Sequence, residues 1–323
     1  MTATDTKTVP RTDSKPKIAG KRKAVSDLIF SRIEENKKRL DGQRPLSPDT
    51  LSALHKEMRL LHIYNSNAIE GNTLTLSETK LVLEEGVTVG GKSLKEHLEA
   101  KNTAEAYDLV RSMAEGKRKV TPETILEIHE VVTHGILVDA GRYRTANVRI
   151  TGAVNSPPAF LKVPSLVAEL AARVQDSKDD VVTTAAKLHH GLVEIHPFAD
   201  GNGRVARLMT NLYLMSRGYL PIALRKKDRM RYYEALRKAD AGNVAPFIDF
   251  IARAIDESLT FYLSAAGGRD ELIPVSELAE GTGYSAEYIS LLARRGRMDA
   301  VKINNKWHSS KKSLEHYLAS RMK

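Results

Sequence analysis

The twelve residues HPFADGNGRVAR, His196 to Arg207, put a histidine, a carboxylate, a Gly-Asn-Gly turn and two arginines directly ahead of an apolar helical run. A Gly-Asn-Gly turn lets the backbone take positive φ and aim successive N–H groups into one concavity, which suits an anion. The spacing of Val205, Leu208, Met209, Leu212 and Met215 marks a helix starting just after that turn. Its unpaired N–H groups and positive dipole end would add to the same anion site. Arg204 falls in the first turn, and Arg207 lies three residues on, on the same face. Two guanidinium groups beside such a nest suit a polyphosphate, not a single carboxylate. Asp200, just before the turn, is placed to hold a Mg²⁺ riding on that polyphosphate. His196 is the group here whose pKa suits taking a proton near neutrality. Together they describe phosphoryl or nucleotidyl transfer, in which a nucleotide with Mg²⁺ is bound, an incoming hydroxyl is activated and charge on the phosphate is stabilised. A bare Gly-Asn-Gly would read only as a turn between helices.

The rest of the chain must position these groups. Its 323 residues leave room for two domains, and 41% hydrophobic residues is ordinary for a globular protein. No apolar run approaches the roughly 18 residues of a membrane helix, and the first residues lack a secretory signal. With no cysteine there is no disulfide and no thiolate zinc site, so a cytoplasmic address is expected. The net charge of +10 is uneven: residues 1–23 hold seven Lys/Arg against Asp5 and Asp13. Residues 1–24 therefore read as a basic disordered leader, either a solvated tail or a segment with affinity for a polyanion.

From 25 to 265 the pattern is nearly all helical. Ser47-Pro48 reads as an N-cap and first helical position, followed by the stripe Leu51, Leu54, Met58 and Leu61. Thr75 to Glu78 and Ser93 to Glu96 fit capping boxes, and Thr121-Pro122 opens another helix. Further helices fit 165–175, 181–195, 204–217, 229–239 and 245–264. Residues 142–160 alternate in a β-favouring pattern and then carry a Pro pair, which reads as a short hairpin and loop. Residues 266–270 are a Gly-containing linker. Beyond it, 271–323 reads as helix, turn, helix, a ribbon turning at Asn304-Asn305, and a last helix, a winged helix-turn-helix pattern. The expected fold class is mainly α: a helical core with a small β-hairpin, then the winged unit.

HPFADGNGRVAR also resembles the signature of the Fic domain, HPFx[D/E]GNGRxxR, at every fixed position. GRYRTANVRITG ahead of it and RMRYYEALRKADAGNVAPFIDFI after it extend the resemblance over about 60–263. Fic proteins are mostly AMP transferases, moving AMP from ATP onto a Ser, Thr or Tyr hydroxyl of a target protein. The resemblance implies that His196 is the base and that Asp200 holds Mg²⁺. It also implies that Gly201, Asn202, Gly203 and Arg204 cradle the α- and β-phosphates and that Arg207 binds the γ-phosphate. Phe198 would be a core anchor. His189 and His190, with no third ligand at metal spacing, read as packing or solvated surface and stay outside the site.

SNAIEGN, Ser66 to Asn72, resembles the family's inhibitory motif, [S/T]xxxE[G/N], at Ser66, Glu70 and Gly71. By itself the stretch would be a helix ending in Gly71 with Glu70 solvated, although a negative charge in a last turn opposes the helix dipole. The resemblance implies that an inhibitory helix over about 47–70 presents Glu70 to Arg207, in the γ-phosphate's place. In some family members the corresponding glutamate positions a water that removes AMP from the modified target, so one site would write and erase.

The hairpin around Val148, Arg149 and Ile150 resembles the family's flap, which docks the target by strand addition. Tyr232 and Tyr233 match the pair before the adenine region, where Tyr233 is the contact, while the family's frequent Asn is Asp240 here. Residues 271–323 resemble an excisionase- or MerR-type winged helix, with Arg294, Arg295, Arg297, Lys302 and Lys306 near its recognition helix and wing. Its net charge is about +3, modest for a DNA binder, so DNA and a protein or dimer partner both stand open. Family habit points to a homodimer. Two functions follow: a protein adenylyltransferase held down by Glu70, or a DNA-binding regulator whose Fic part senses nucleotide. The intact His196, Asp200 and Arg207 favour the first, because a sensor has no need of a base.

Overall fold

A computed structural model describes residues 19–43, 48–150, 155–266, 273–280, 282–295, 297–298, 300–303 and 306–321. The chain is mainly helical. In order, α1 (Ala19–Gly42), α2 (Pro48–Ile69), α3 (Leu76–Glu84), α4 (Leu94–Glu115) and α5 (Pro122–Thr133) precede an irregular segment. Then come α6 (Val163–Gln175), α7 (Val181–Ile195), α8 (Asn202–Ser216), α9 (Arg229–Asp240) and α10 (Ala245–Ala266).

Local chemistry sets most boundaries. Thr75 and Ser93 close full capping boxes with Glu78 and Glu96, starting α3 and α4. Thr121 caps α5 ahead of Pro122, and Asp180 caps α7 by accepting from the Thr183 N–H. Ser47, the expected cap of α2, lies outside the described residues. Residues 19–24, assigned to the leader on composition, are helical and open α1.

Helix α8 is the centre of the core. Nearly every side chain from Asn202 to Leu214 is buried, because α4, α5, α7 and α2 surround it. A helix buried on all sides must be apolar or have its polar groups paired. Here Val205, Leu208, Met209 and Leu212 supply the first, while Arg204, Arg207, Thr210 and Asn211 demand the second. Helix α2 lies against α8 with an apolar start at Leu54 and Met58 and a buried polar end at His62, Asn65, Ser66 and Asn67. Helix α1 packs on α10, held by the ion pair Arg32–Asp256.

The stretch 142–160 departs from the hairpin expectation. Residues 142–150 and 155–160 form no strand, and residues 151–154, part of the expected hairpin, lie outside the described residues. Buried Arg144 fixes this segment instead, its guanidinium donating to the carbonyls of His196, Ala146 and Pro158.

The C-terminal residues build β1 (Ile273–Pro274), α11 (Val275–Leu278), α12 (Ala286–Arg294), β2 (Val301–Ile303), β3 (Lys306–Ser309) and α13 (Lys311–Arg321). The strands form an antiparallel sheet in the order β1-β3-β2, with Ile273 opposite Ser309 and Lys302 opposite Trp307. Ser285 caps α12, and Val275, Leu278, Ile289, Leu292, Met298 and Leu314 form a separate small core against which Trp307 packs. The expected ribbon turn at 304–305 and linker residues 267–270 lie outside the described residues. No helix of the described residues is long and apolar enough to cross a membrane.

Three buried histidines make stability depend on pH. Burial pushes His62 and His129 down to about 4 and His189 well below its ordinary value. Each is neutral in the fold but takes up a proton on unfolding below about 6.5, so their contribution is complete above 6.5 and is lost as pH falls. We expect the unfolding free energy from urea titrations to drop between pH 7 and pH 5 by about 1–2 kcal/mol per histidine, with the midpoint falling in step. A midpoint unchanged over that range would contradict the neutral assignment.

Candidate active site

The loop 196–201 joins the end of α7 to the start of α8, and three buried side chains hold it in shape. His196 ends α7 in the left-handed region at φ 51°, ψ 60°, an uncommon conformation for a residue with a side chain. Arg144 holds that peptide from both sides: its Nε donates to the His196 carbonyl at 2.9 Å, and its backbone N–H donates to the Pro197 carbonyl at 2.9 Å. Asn202 staples the loop by accepting from the Phe198 N–H and donating to the Phe198 carbonyl, both at 2.9 Å. His129 accepts from the Gly141 N–H at its Nδ1, so its Nε2 carries the proton donated to the Asp200 carbonyl at 3.1 Å. The His129 ring also stacks on fully buried Phe198, centroids 3.6 Å apart.

Gly201 caps α8 at φ +82°, and a Cβ there would press on Thr133 and His129. The first N–H groups of α8 have no acceptor within the helix, and the Gly201 N–H is taken by Asp200 Oδ1 at 2.6 Å. Helix α8 begins at Asn202, two residues earlier than its apolar spacing marks, so the Gly-Asn-Gly turn is itself the helix N-terminus. The Asn202 side chain faces inward as the staple, which leaves its backbone N–H as the group it can offer an anion.

His196 Nδ1 lies 3.3 Å from the Val193 carbonyl. That contact places the proton on Nδ1 and leaves the Nε2 lone pair as the basic site. Burial lowers the His196 pKa, aided by Arg144; the Val193 carbonyl and the charges of Glu70 and Asp200 oppose the shift. The imidazole is therefore neutral near pH 7. Burial would raise the Asp200 pKa, but Arg204, the Gly201 N–H and Lys95 outweigh it and keep the carboxylate ionised. Lys95 Nζ and Arg204 Nη2 stand 3.5 and 3.6 Å from its oxygens.

The two arginines of α8 are buried, each 2% exposed. Arg207 donates from Nε to Ser66 Oγ at 2.8 Å, and from Nη2 to the Ser66 carbonyl at 2.9 Å and Glu70 Oε1 at 2.7 Å. Burial works against its charge, but Glu70 and the nearby Tyr232 and Tyr233 hold its pKa above the ordinary value. Glu70 sits just past the end of α2, and Gly71 turns the chain away at φ +103°. The Glu70 carboxylate lies so close over Gly203 that a Cβ there would collide with it. Arg229 donates from Nε to the Ile69 carbonyl at 2.8 Å, capping the end of α2 where a glutamate alone is unfavourable. Arg204 Nε and Nη1 and Arg207 Nη1 have no hydrogen-bond partner among the described residues. Those buried donors beside a helix N-terminus define an anion site that Glu70 fills only in part.

Outside this centre, His189 places Nδ1 3.1 Å from Thr210 Oγ1 and Nε2 2.9 Å from the Tyr232 hydroxyl, a packing role. His190 Nε2 meets Asp240 Oδ1 at 2.8 Å. Tyr233 is half-buried with Arg229 over its ring. Val148 and Ile150 are half-buried and Arg149 is exposed. No cluster of three or more metal-binding side chains occurs among the described residues. The donor set does fit a Mg²⁺ brought in by a polyphosphate, since that ion commonly takes one carboxylate, water and phosphate oxygens; Asp200 would supply the carboxylate.

Sequence reasoning assigned no role to Arg144, His129, Asn72, Glu99 or Arg229. Arg144 lies within the quoted stretch GRYRTANVRITG, where an arginine among small and β-favouring residues was the available signal. Asn72 and Arg229 likewise close and open stretches that carry the resemblance, while His129 and Glu99 act through folding and leave no local pattern.

The Fic/DOC family model matches residues 119–214. The chain is 38% identical over 252 residues to the protein adenylyltransferase Fic of Nematostella vectensis, covering 75% of this chain and 57% of that one. It is 35% identical over 275 residues to the Drosophila virilis protein of that name, covering 81% and 56%. The chain thus spans a little over half the length of these curated relatives. Among solved structures, Fic-1 (aa134 - 508) from C. elegans superposes with TM-score 0.68 at 32% identity, covering 77% of this chain and 76% of that one. A Fic domain containing signaling protein from Bacteroides thetaiotaomicron gives TM-score 0.69 at 29% identity, covering 73% and 97%.

The staple gives a test of the loop. Asn202→Ala removes both bonds to Phe198 and leaves a buried N–H and carbonyl unpaired, so unfolding free energy should fall by about 2–3 kcal/mol in urea titrations. A loss under about 0.5 kcal/mol, the range of an ordinary surface change, would show that the staple is idle.

Proposed function

The chain belongs to the Fic family and shares its fold, and from that premise we propose that it is an adenylyltransferase acting on protein hydroxyl groups, held in check by Glu70. The observation that carries the reading is the pair of buried arginines at the N-terminus of α8, one closed by Glu70 and both retaining unpaired donors. A site built for a polyphosphate and closed by the chain's own carboxylate has no use unless that carboxylate can leave. The names of the relatives, protein adenylyltransferase Fic, support AMP as the group transferred.

In this reading the α8 N–H groups of Asn202 and Gly203, with Arg204, hold the α- and β-phosphates of ATP, and Gly201 gives the turn its shape. Arg207 takes the γ-phosphate once Glu70 withdraws. Asp200 would hold Mg²⁺, which would supply neutralisation of phosphate charge. His196 Nε2 accepts the proton of a target Ser, Thr or Tyr hydroxyl as its oxygen attacks the α-phosphorus. The bond to the β-phosphate oxygen breaks and pyrophosphate leaves with Arg204 and the helix N-terminus stabilising its charge. Tyr233 borders the base. The segment around Val148, Arg149 and Ile150 receives the target, and a homodimer and a cytoplasmic address accompany the function. Returned to the site with a water, Glu70 would also remove AMP from the target.

The brake follows from charge. Each carboxylate–guanidinium hydrogen bond contributes about 1.5–3 kcal/mol, and Arg207 cannot be left buried and unpaired. Ser66 holds its Nε, so Glu70 alone stands where the outermost phosphate must go.

A second partner surface is proposed at the C-terminal unit, read as a winged helix-turn-helix. Arg294, Arg295, Arg297, Lys306 and Lys311 are exposed there, and among the described residues none of them forms an ion pair. Unpaired surface cations near a helix end and a strand favour DNA over an apolar protein partner.

Intact-mass analysis with ATP and Mg²⁺ tests the proposal. Glu70→Gly should gain the mass of AMP on itself, while wild type and Glu70→Gly with His196→Ala should not. No gain by Glu70→Gly, with ATP binding intact, would refute transfer of AMP. The rate of Glu70→Gly should fall as pH drops through an inflection below 6.5, since His196 must be neutral and removing Glu70 takes away a charge that raises its pKa. An inflection above 7 would exclude the assigned base.

A further inference from the structure

Arg204 is the less satisfied of the two buried arginines. Its Nε and Nη1 have no hydrogen-bond partner among the described residues, and its charge is balanced at 3.6 Å by two carboxylates, Asp200 Oδ1 and Glu99 Oε1. Glu99 comes from α4, far in sequence from the loop that carries Asp200. Its other oxygen, Oε2, accepts from Asn72 Nδ2 at 2.9 Å, and its backbone carbonyl accepts from Asn67 Nδ2 at 3.3 Å. Asn72 follows Glu70 by two residues and organises the turn that presents it. The Asn72 N–H donates to the Asn67 carbonyl at 3.1 Å, its Oδ1 accepts from the Leu74 N–H at 3.0 Å, and its Nδ2 also reaches the Glu96 carbonyl at 3.0 Å. One carboxylate therefore touches both the unsatisfied arginine and the turn that carries the brake.

We propose that Glu99 is a second inhibitory carboxylate, which lowers polyphosphate affinity at Arg204 as Glu70 does at Arg207 and is tied to the Glu70 turn through Asn72. The inference rests on the polyphosphate reading of the site. At 3.6 Å Glu99 neutralises part of the Arg204 charge without using its directional donors, which stay open for phosphate oxygens. A polyphosphate that engages those donors approaches Glu99 with like charge. Glu99 is mostly buried, and its remaining partners are Asn72 and, at 4.0 Å, Lys95. Repulsion at Glu99 is then passed through its bond to Asn72 into the turn that holds Glu70. Binding at Arg204 and closure by Glu70 oppose each other, and the coupling is reciprocal.

The rival role for Glu99 is positioning: a carboxylate that aims Arg204 at phosphate would raise affinity. Glu99→Gln separates the two, because its amide oxygen still accepts from Asn72 while the charge beside Arg204 is gone. Titration calorimetry with ATP–Mg²⁺, and separately with inorganic tripolyphosphate–Mg²⁺, would be run on wild type, Glu99→Gln, and each change in the Glu70→Gly background. Glu99→Gln should bind tripolyphosphate about three- to tenfold tighter in both backgrounds, and the gain should vanish when Arg204→Gln is added. Unchanged or weaker binding overturns the proposal, as does a gain that persists without Arg204. Tighter tripolyphosphate binding with no binding of ATP upholds Glu99 and sinks the adenylyl reading. Failure of every variant to bind either anion overturns both. Should Glu99→Gln not fold, Asn72→Ala serves: it keeps the Glu99 charge but frees the Glu70 turn, so self-modification with ATP rises and tripolyphosphate binds more tightly where Glu70 is present, while in the Glu70→Gly background its affinity stays within about twofold. No rise would overturn the tie to the turn.

Discussion

A guanidinium cannot remain buried without an anion, and the architecture follows from placing Arg207 at 2% exposure in the central helix. Two partners satisfy that requirement. One comes from within the chain: the end of α2 offers the Ser66 hydroxyl and carbonyl together with the Glu70 carboxylate. The other would be a phosphate. Because the same nitrogen cannot serve both fully, under the proposed function the need for an anion that stabilises the closed site would also make it an inhibited one. The polar end of α2, otherwise costly in a core, is explained by this arrangement. Most buried polar groups there find a partner across α4, α8 or the segment before α9: Asn65 accepts from the Lys226 N–H, Asn67 accepts from Thr103, and Ser66 meets Arg207, while His62 pairs only through Nδ1 and leaves Nε2 without a partner among the described residues.

The imidazole proposed as the base depends on a second constraint. His196 sits in a left-handed conformation that ordinary residues avoid, and the chain holds it there by fixing the carbonyls around it. Arg144, Asn202 and His129 each reach across the loop from a different element. Their combined effect is to end α7 and start α8 within six residues, so that a neutral imidazole and a helix N-terminus share one pocket. The uncharged state of His196 follows from burial, and its basic nitrogen from the Val193 carbonyl on the other side of the ring.

Much of this was legible in the sequence, and the part that was not has physical reasons. Capping boxes at Thr75 and Ser93 and the N-cap at Thr121 are local, so the starts of α3, α4 and α5 could be read directly. The loop chemistry was legible because His196, Asp200, Arg204 and Arg207 lie within twelve residues. Asn202 was read as part of a phosphate cradle built from backbone N–H groups; the staple its side chain makes to Phe198 was not foreseen, since an amide behind a tight turn satisfies backbone groups that only the fold brings to it. The β-alternation of 142–160 pointed to a hairpin, and the described part instead follows the Arg144 guanidinium across three carbonyls. Glu99 gave no signal, and Arg229 only its place at the start of a stretch that carries the resemblance: a carboxylate on a helix and an arginine at a helix start look solvated until the fold brings Asn72, Arg204 and Ile69 to them.

The central claim is that Glu70 and the outermost phosphate compete for Arg207. The most direct test compares the affinities of ATP and AMP for wild type and for Glu70→Gln, which keeps the shape of the side chain and removes its charge. The account requires ATP to bind about tenfold or more tightly to the variant while AMP, which cannot reach Arg207, is unaffected. Equal gains for both nucleotides, or no gain for ATP, would contradict it.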